Sequence, residues 1–109
     1  MTSIGRIDPI EFLDPGILAH RERPSRASDI WSLGVTLHRA LTGKGIYGDL
    51  PDTDPLFAIR AVLGQRPAID PQLGAAEREI VSECLAQDPR DRPATALEVA
   101  EALDRIDAG

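Results

Sequence analysis

Residues 28–43 read SDIWSLGVTLHRALTG, and the rest of the chain is organised around them. Apolar side chains at Ile30, Trp31, Leu33, Val35, Leu37, Ala40 and Leu41 fall on nearly every side of a helical wheel, and the only charges are Asp29 and Arg39. A helix that is apolar all round belongs inside a protein. Ser28 is the expected N-cap, Asp29 in the first turn suits the positive end of the helix dipole, and Gly43 is the residue type that stops a helix just past its last turn. About sixteen residues with polar ends are too few to span a bilayer, so this is the predicted central helix of a soluble, all-α domain.

On the N-terminal side, residues 1–14 (MTSIGRIDPIEFLD) show no sustained period and read as an irregular arm ending in the apolar pair Phe12 and Leu13. Pro15 can open a short helical turn through Ile17 and Leu18, because proline is tolerated where a first-turn N–H is not needed. Residues 20–26 (HRERPSR) form a charged surface loop. On the C-terminal side, GKGIYGDLPDTDP is too rich in glycine, proline and aspartate to sustain helix or strand. Asp54 and Pro55 then read as the cap and first turn of a short helix with Leu56, Ile59 and Leu63 along one side, ended by Gly64.

A two-proline connector, residues 66–74, leads to an amphipathic helix predicted over Ala75 to Gln87, where Ala76, Ile80 and Cys84 recur every four residues beside Val81 and Leu85. DPRDRP cannot continue that helix and makes a tight turn bearing arginines. Thr95 and Glu98 have the spacing of a capping box, and Val99, Leu103 and Ile106 supply the inward stripe of a last helix. No stretch alternates with the period of a strand, and nothing repeats.

The 109 residues are enough for one domain, residues 1–109, and not for two. A formal charge of −6 with scattered cations argues against duplex nucleic acid or an anionic membrane as a partner. The single cysteine, Cys84, excludes an internal disulfide and a multi-cysteine zinc site, and the start of the chain has no apolar run, so a reducing cytoplasm is the expected compartment. His20 and His38 have no companion at ligand spacing, and Asp49, Asp52 and Asp54 lack the glycine and glutamate of a calcium loop. No metal site is expected.

Three motifs on this order of elements are informative: FLDPG at Phe12–Gly16, DIWSLG at Asp29–Gly34 and DPRDRP at Asp88–Pro93. They resemble Y-x-A-P-E, D-x-W-S-x-G and D-P-x-x-R-P of eukaryotic-like serine/threonine protein kinases, bacterial ones included, from about Gly5 to the C-terminus. The resemblance implies the helical C-terminal lobe of that fold, with about four main helices around a buried central one. Its marker residues are Pro15, Asp29, Trp31, Gly34 and Arg92, all in structural roles. Asp29 is expected to stabilise a helix start, Trp31 to be a core aromatic packed on the Phe12–Leu18 arm, and Cys84 to be an inert buried thiol.

Phosphoryl transfer in that family needs a glycine-rich loop, a lysine paired with a glutamate, a catalytic aspartate with an asparagine, and a DFG aspartate on magnesium. None occurs in these 109 residues, so no catalytic, cofactor-binding or metal residue is carried over. ATP and magnesium enter only where a missing N-terminal part completes the domain. Within the matched stretch, Gly16 stands where the family has the glutamate that pairs with the arginine of D-P-x-x-R-P. Arg92 is therefore expected to bond nearby carbonyls or an acid such as Asp14, and its loss to cost less than in an intact kinase. The family's threonine before the substrate-binding loop is also missing, its place falling on Arg6 or Pro9.

The expected function is that of a non-catalytic remnant acting as a scaffold or regulatory binding piece. One alternative is half of a split or mis-started kinase; another is a helical adaptor unrelated to phosphorylation. Because the chain supplies cover for only one side of the central helix, two or three of Ile30, Leu33, Leu37 and Leu41 are expected to be exposed. That face is then the expected site of a protein partner or of self-association.

Overall fold

The structure is a computed structural model that describes residues 9–20, 23–48 and 55–108. It is all-α. Five helices run in chain order: α1 (Pro15–His20), α2 (Arg26–Thr42), α3 (Pro55–Leu63), α4 (Ala75–Cys84) and α5 (Ala96–Ala108), with 3-10 turns at Pro9–Phe12 and Pro89–Asp91. No strand occurs among the described residues.

Helix α2 starts earlier than its sequence predicts. Ser25, in extended conformation, is the N-cap, accepting from the Ser28 N–H at 3.3 Å, while the Ser28 hydroxyl receives the Ser25 N–H at 2.7 Å. Ser28 is therefore the third residue of a reciprocal capping box, and the true start lies three residues upstream in the polar PSR stretch, where apolar periodicity gives no signal. At the other end Gly43 adopts φ 72° and sends its N–H to the Arg39 carbonyl at 2.8 Å. Only glycine takes that left-handed position at little cost.

Two apolar clusters meet on α2. Trp31 and Val35 pack with Ile46, Val81 and Leu85, and Phe12, Tyr47 and Ile69 lie against them. Ile30 packs with Ile80, Cys84 and Val99, backed by Leu33, Ala102, Leu103 and Ile106; Leu37 touches both clusters. Helix α4 crosses α2 closely at Gly34, where an added Cβ would stand 2.7 Å from the Cys84 Cβ. The cover that α4 and α5 provide changes the expectation for α2: Ile30 is buried, Leu33 and Leu37 are half-buried, and Leu41 is exposed.

The largest exposed apolar side chains lie elsewhere, with Leu56 at 68% and Phe57 at 55% on α3 and Leu97 at 66% on α5. Helix α3 turns Ala58 and Val62 inward in place of Leu56 and Leu63. In PLFAIRAVL nearly every position is apolar, so periodicity cannot select the buried side. Helix α4 ends at Cys84, three residues short of its predicted Gln87. On α5, the Glu98 N–H reaches the Thr95 hydroxyl at 3.2 Å, and Glu98 reaches back to the Ala94 N–H at 3.0 Å. The part of the expected irregular arm that is described contains the Pro9–Phe12 turn; Ile4, Ile7, Arg6 and the Asp49, Asp52 and Asp54 loop lie outside the described residues.

Candidate functional site

Arg92 follows the Pro89–Asp91 turn, which Pro89 starts and the Asp88 carboxylate caps through the Arg90 N–H. The turn sends its side chain inward, where 1% of it is exposed. Its guanidinium donates to both Asp14 oxygens, Nη1 to Oδ2 at 2.6 Å and Nη2 to Oδ1 at 3.2 Å. It also donates to the carbonyls of Ala27 and Ala86, each at 2.9 Å. The cation stands 5.3 Å from the centroid of the Trp31 ring, within reach of the ring's negative face. One side chain thus ties together the start of α1, the first turn of α2 and the segment after α4.

Asp14 immediately precedes Pro15, the first residue of α1, and Oδ1 also accepts the Gly16 N–H at 2.9 Å. Burial pushes the Asp14 carboxyl up, the largest single effect, but the Arg92 hydrogen bonds, the Gly16 N–H and the Arg92 charge together outweigh it and hold the group below its ordinary value. Gly16, in place of a glutamate, does not leave Arg92 without an acidic partner. The carboxylate is supplied two residues earlier in the chain, and the expectation of an inexpensive Arg92 is corrected accordingly.

A second polar node lies beside the first. The Pro9–Phe12 turn is held to α2 by the Trp31 Nε1–H donating to the Glu11 carbonyl at 3.2 Å, by the Ser32 hydroxyl donating to the Phe12 carbonyl at 2.6 Å, and by Arg39 Nε donating to the buried Glu11 carboxylate at 2.6 Å. His38, 1% exposed, receives the Asp70 N–H at Nε2 (3.0 Å), so its proton resides on Nδ1 and is donated to the Lys44 carbonyl at 2.9 Å. Lys44, the chain's one lysine, pairs through Nζ with Asp70 at 3.1 Å. Sequence reasoning missed Glu11 and His38 as buried anchors. Their partners are 28 and 32 residues away, so no local spacing marks them.

The structure brings Trp31 and Arg92 together, places Pro15 at the start of α1 next to Asp14, sets Gly34 at the α2–α4 crossing, and leaves Asp29 exposed in the first turn of α2. Tyr47 lies close by; burial, then the negative charges of Glu11 and Asp14, push its phenol up to about 12, and its buried hydroxyl has no hydrogen-bond partner. Burial likewise pushes the Cys84 thiol up to about 11, which leaves no thiolate to act as a nucleophile. Among the described residues no three metal-ligating side chains come together. Asp14, Arg92 and Glu11 are buried and matched by partners, and their chemistry is that of a clamp.

The sequence profile of the family described as "Protein tyrosine and serine/threonine kinase" matches residues 2–103. The chain belongs to the protein kinase family. Similar proteins include mitogen-activated protein kinase kinase kinase 9 of Arabidopsis thaliana, 32% identical over 86% of this chain and 12% of that protein. The serine/threonine-protein kinase PknK of Mycobacterium tuberculosis is 37% identical over 73% of this chain and 7% of its own length. Mitogen-activated protein kinase kinase kinase 1 of Arabidopsis thaliana is 36% identical over 78% and 14%. The chain thus spans a small part of each relative it matches. The Asp14–Arg92 pair joins the start of α1 to the turn before α5.

Among the described residues no donors converge on a site of the kind the family's ATP and magnesium need. The one lysine is engaged by Asp70, and no described acids converge as metal ligands.

Proposed function

We propose that this chain is a non-catalytic, serine/threonine kinase-like piece that serves as a scaffold or regulatory binding element. The observation that carries this reading is the Asp14–Arg92 clamp. The interaction that holds the lobe together is made by Asp14 where Gly16 stands in the family's glutamate position, which supports a chain kept for its fold. The proposed compartment is the cytoplasm, and the proposed source is a bacterial eukaryotic-like kinase; no described helix is long and apolar enough to cross a membrane. The surface proposed for self-association or a protein partner is what remains uncovered of α2, centred on Ala40 and Leu41. Calorimetric titration of the chain with Mg-ATP tests the reading. No heat of binding is expected, and saturable binding overturns it.

A second reading is favoured by the exposed Asp29, at the position where the family's D-x-W-S-x-G aspartate receives hydrogen bonds from the catalytic loop. In that reading the chain is the distal half of a kinase completed by a separate or upstream segment. An upstream reading frame encoding H-R-D and D-F-G, with kinase activity on co-expression of the two parts, decides for it. Failure to find either leaves the non-catalytic reading in place.

A further inference from the structure

The charge of the chain is unevenly placed. Residues 75–109 hold nine of the eighteen acidic residues but four of the twelve basic ones, so five of the six net negative charges lie in the α4–α5 unit. Two of those four basic groups are already committed, Arg90 to Asp88 and Arg92 to Asp14. Glu79, Glu83 and Glu101 form no ion pair among the described residues, and one oxygen of Glu98 serves the Ala94 N–H.

These carboxylates rim a groove. Two cavities of about 360 and about 520 Å³ lie between α4 and α5 and share Ile80, Glu83, Ala102 and Arg105 as walls, which makes them one continuous trough. Ile80 and Val99 underlie it from the core, and the half-buried Ala102 and Ile106 give it an apolar strip. Among the described residues its rim carries Glu79, Glu83, Asp91, Glu98 and Glu101 beside the cation Arg105. An acidic surface without an apolar floor would attract only mobile counterions, and an apolar floor without charge would select no sign of partner. Together they fit one kind of occupant.

We propose that the α4–α5 groove docks a basic amphipathic peptide segment of a partner protein, with its apolar side chains on Ala102 and Ile106 and its lysines or arginines on the glutamate rim. The ten residues of α4 extend about 15 Å, room for a segment of about three helical turns. Opposite charge along the rim steers the encounter and fixes orientation, and the floor supplies burial. The proposal is independent of whether the chain is catalytic, since Arg92 is the one clamp residue that borders the groove and its side chain is buried beneath it.

The test is fluorescence anisotropy of the whole chain with a labelled synthetic helix-forming peptide of about 14 residues, leucines at three- and four-residue spacing and lysines elsewhere. A scrambled peptide of identical composition and an acidic twin are run beside it. The expected result is saturable binding in the micromolar range, about 1–50 µM, at least about tenfold tighter than the scrambled peptide and absent for the acidic twin. Glu79→Lys/Glu83→Lys/Glu101→Lys is expected to weaken binding at least about tenfold, whereas Asp104→Lys/Asp107→Lys, equally exposed but outside the groove, changes it less than about threefold. Ala102→Gln, which keeps the charges and spoils the floor, is expected to weaken it about fivefold or more. Trp31 fluorescence confirms that each variant is folded. No binding by the parent chain, equal binding of the scrambled peptide, equal effects of the two charge sets, or indifference to Ala102→Gln would each overturn the proposal.

Discussion

Asp14 and Arg92, 78 residues apart in the chain, are joined by two hydrogen bonds at 2.6 and 3.2 Å in the interior of the helical lobe. Removing one partner strands the other charge away from water, which costs about 3–5 kcal/mol in a buried pair. Arg92→Ala and Asp14→Asn are each expected to destabilise on that scale in urea melts followed by circular dichroism. The double variant Asp14→Ala/Arg92→Met is expected to lose less than the sum of the single replacements, because it leaves no orphaned charge. Additive losses would mean that the two residues are not coupled.

The same pair makes stability depend on acid. The folded Asp14 carboxyl is held below its ordinary value of 3.8, so its contribution is fully present above about pH 4, where the unfolded chain is ionised too. As the pH falls below that, the unfolded chain binds the proton first, and the contribution declines until the depressed folded value is passed. Between pH 5 and 2.5, stability of the parent chain is expected to fall more steeply than that of Asp14→Asn. Parallel curves would exclude Asp14 as a source of the acid sensitivity.

Gly34 lets α2 and α4 approach until an added Cβ would meet the Cys84 Cβ at 2.7 Å and Leu85 Cδ2 at 3.0 Å. Gly34→Ala gains helix propensity but forces two backbones apart, with an expected net loss of about 1–2 kcal/mol. A stabilised variant in thermal melts would show that the crossing is looser than described.

Tyr47 is the only tyrosine, so absorbance at alkaline pH reports its phenol directly. A midpoint near 12 is expected in the folded chain, with stability falling as the pH rises from 10 toward 12, because the unfolded chain releases the proton first. Tyr47→Phe removes a buried hydroxyl that has no partner, and an unchanged or slightly higher stability, by up to about 1 kcal/mol, is the expected outcome. A clear loss in denaturant melts would reveal a hydrogen bond at that hydroxyl.

Cys84 is wholly buried and its thiol pushed up to about 11. At pH 8 a thiol-specific disulfide reagent is expected to label it only at the rate of unfolding, with full reaction in denaturant. Rapid labelling of the native chain would mean that the α2–α4 contact opens.

What the sequence alone determined is local and periodic: all-helical structure, the stop of α2 at Gly43, the turns at Pro15 and DPRDRP, and the motifs that carry the family. Each follows from a backbone preference or from a 3.6-residue apolar spacing within one segment. What only the tertiary structure decided is pairing over distance. Glu11 with Arg39 and His38 with Asp70 meet because α2 gathers several segments around itself, and nothing in the spacing of 28 or 32 residues announces them, whereas Asp14 was nameable as a partner for Arg92 only through the family motifs, its two-hydrogen-bond geometry being set by packing. The inward side of α3 differs from the expected Leu56, Ile59 and Leu63 stripe for the same reason, since a helix apolar on nearly all sides takes its orientation from its neighbours. The shielding of Ile30 likewise depends on where α5 comes to rest against α2, a matter of packing between elements that no single segment encodes.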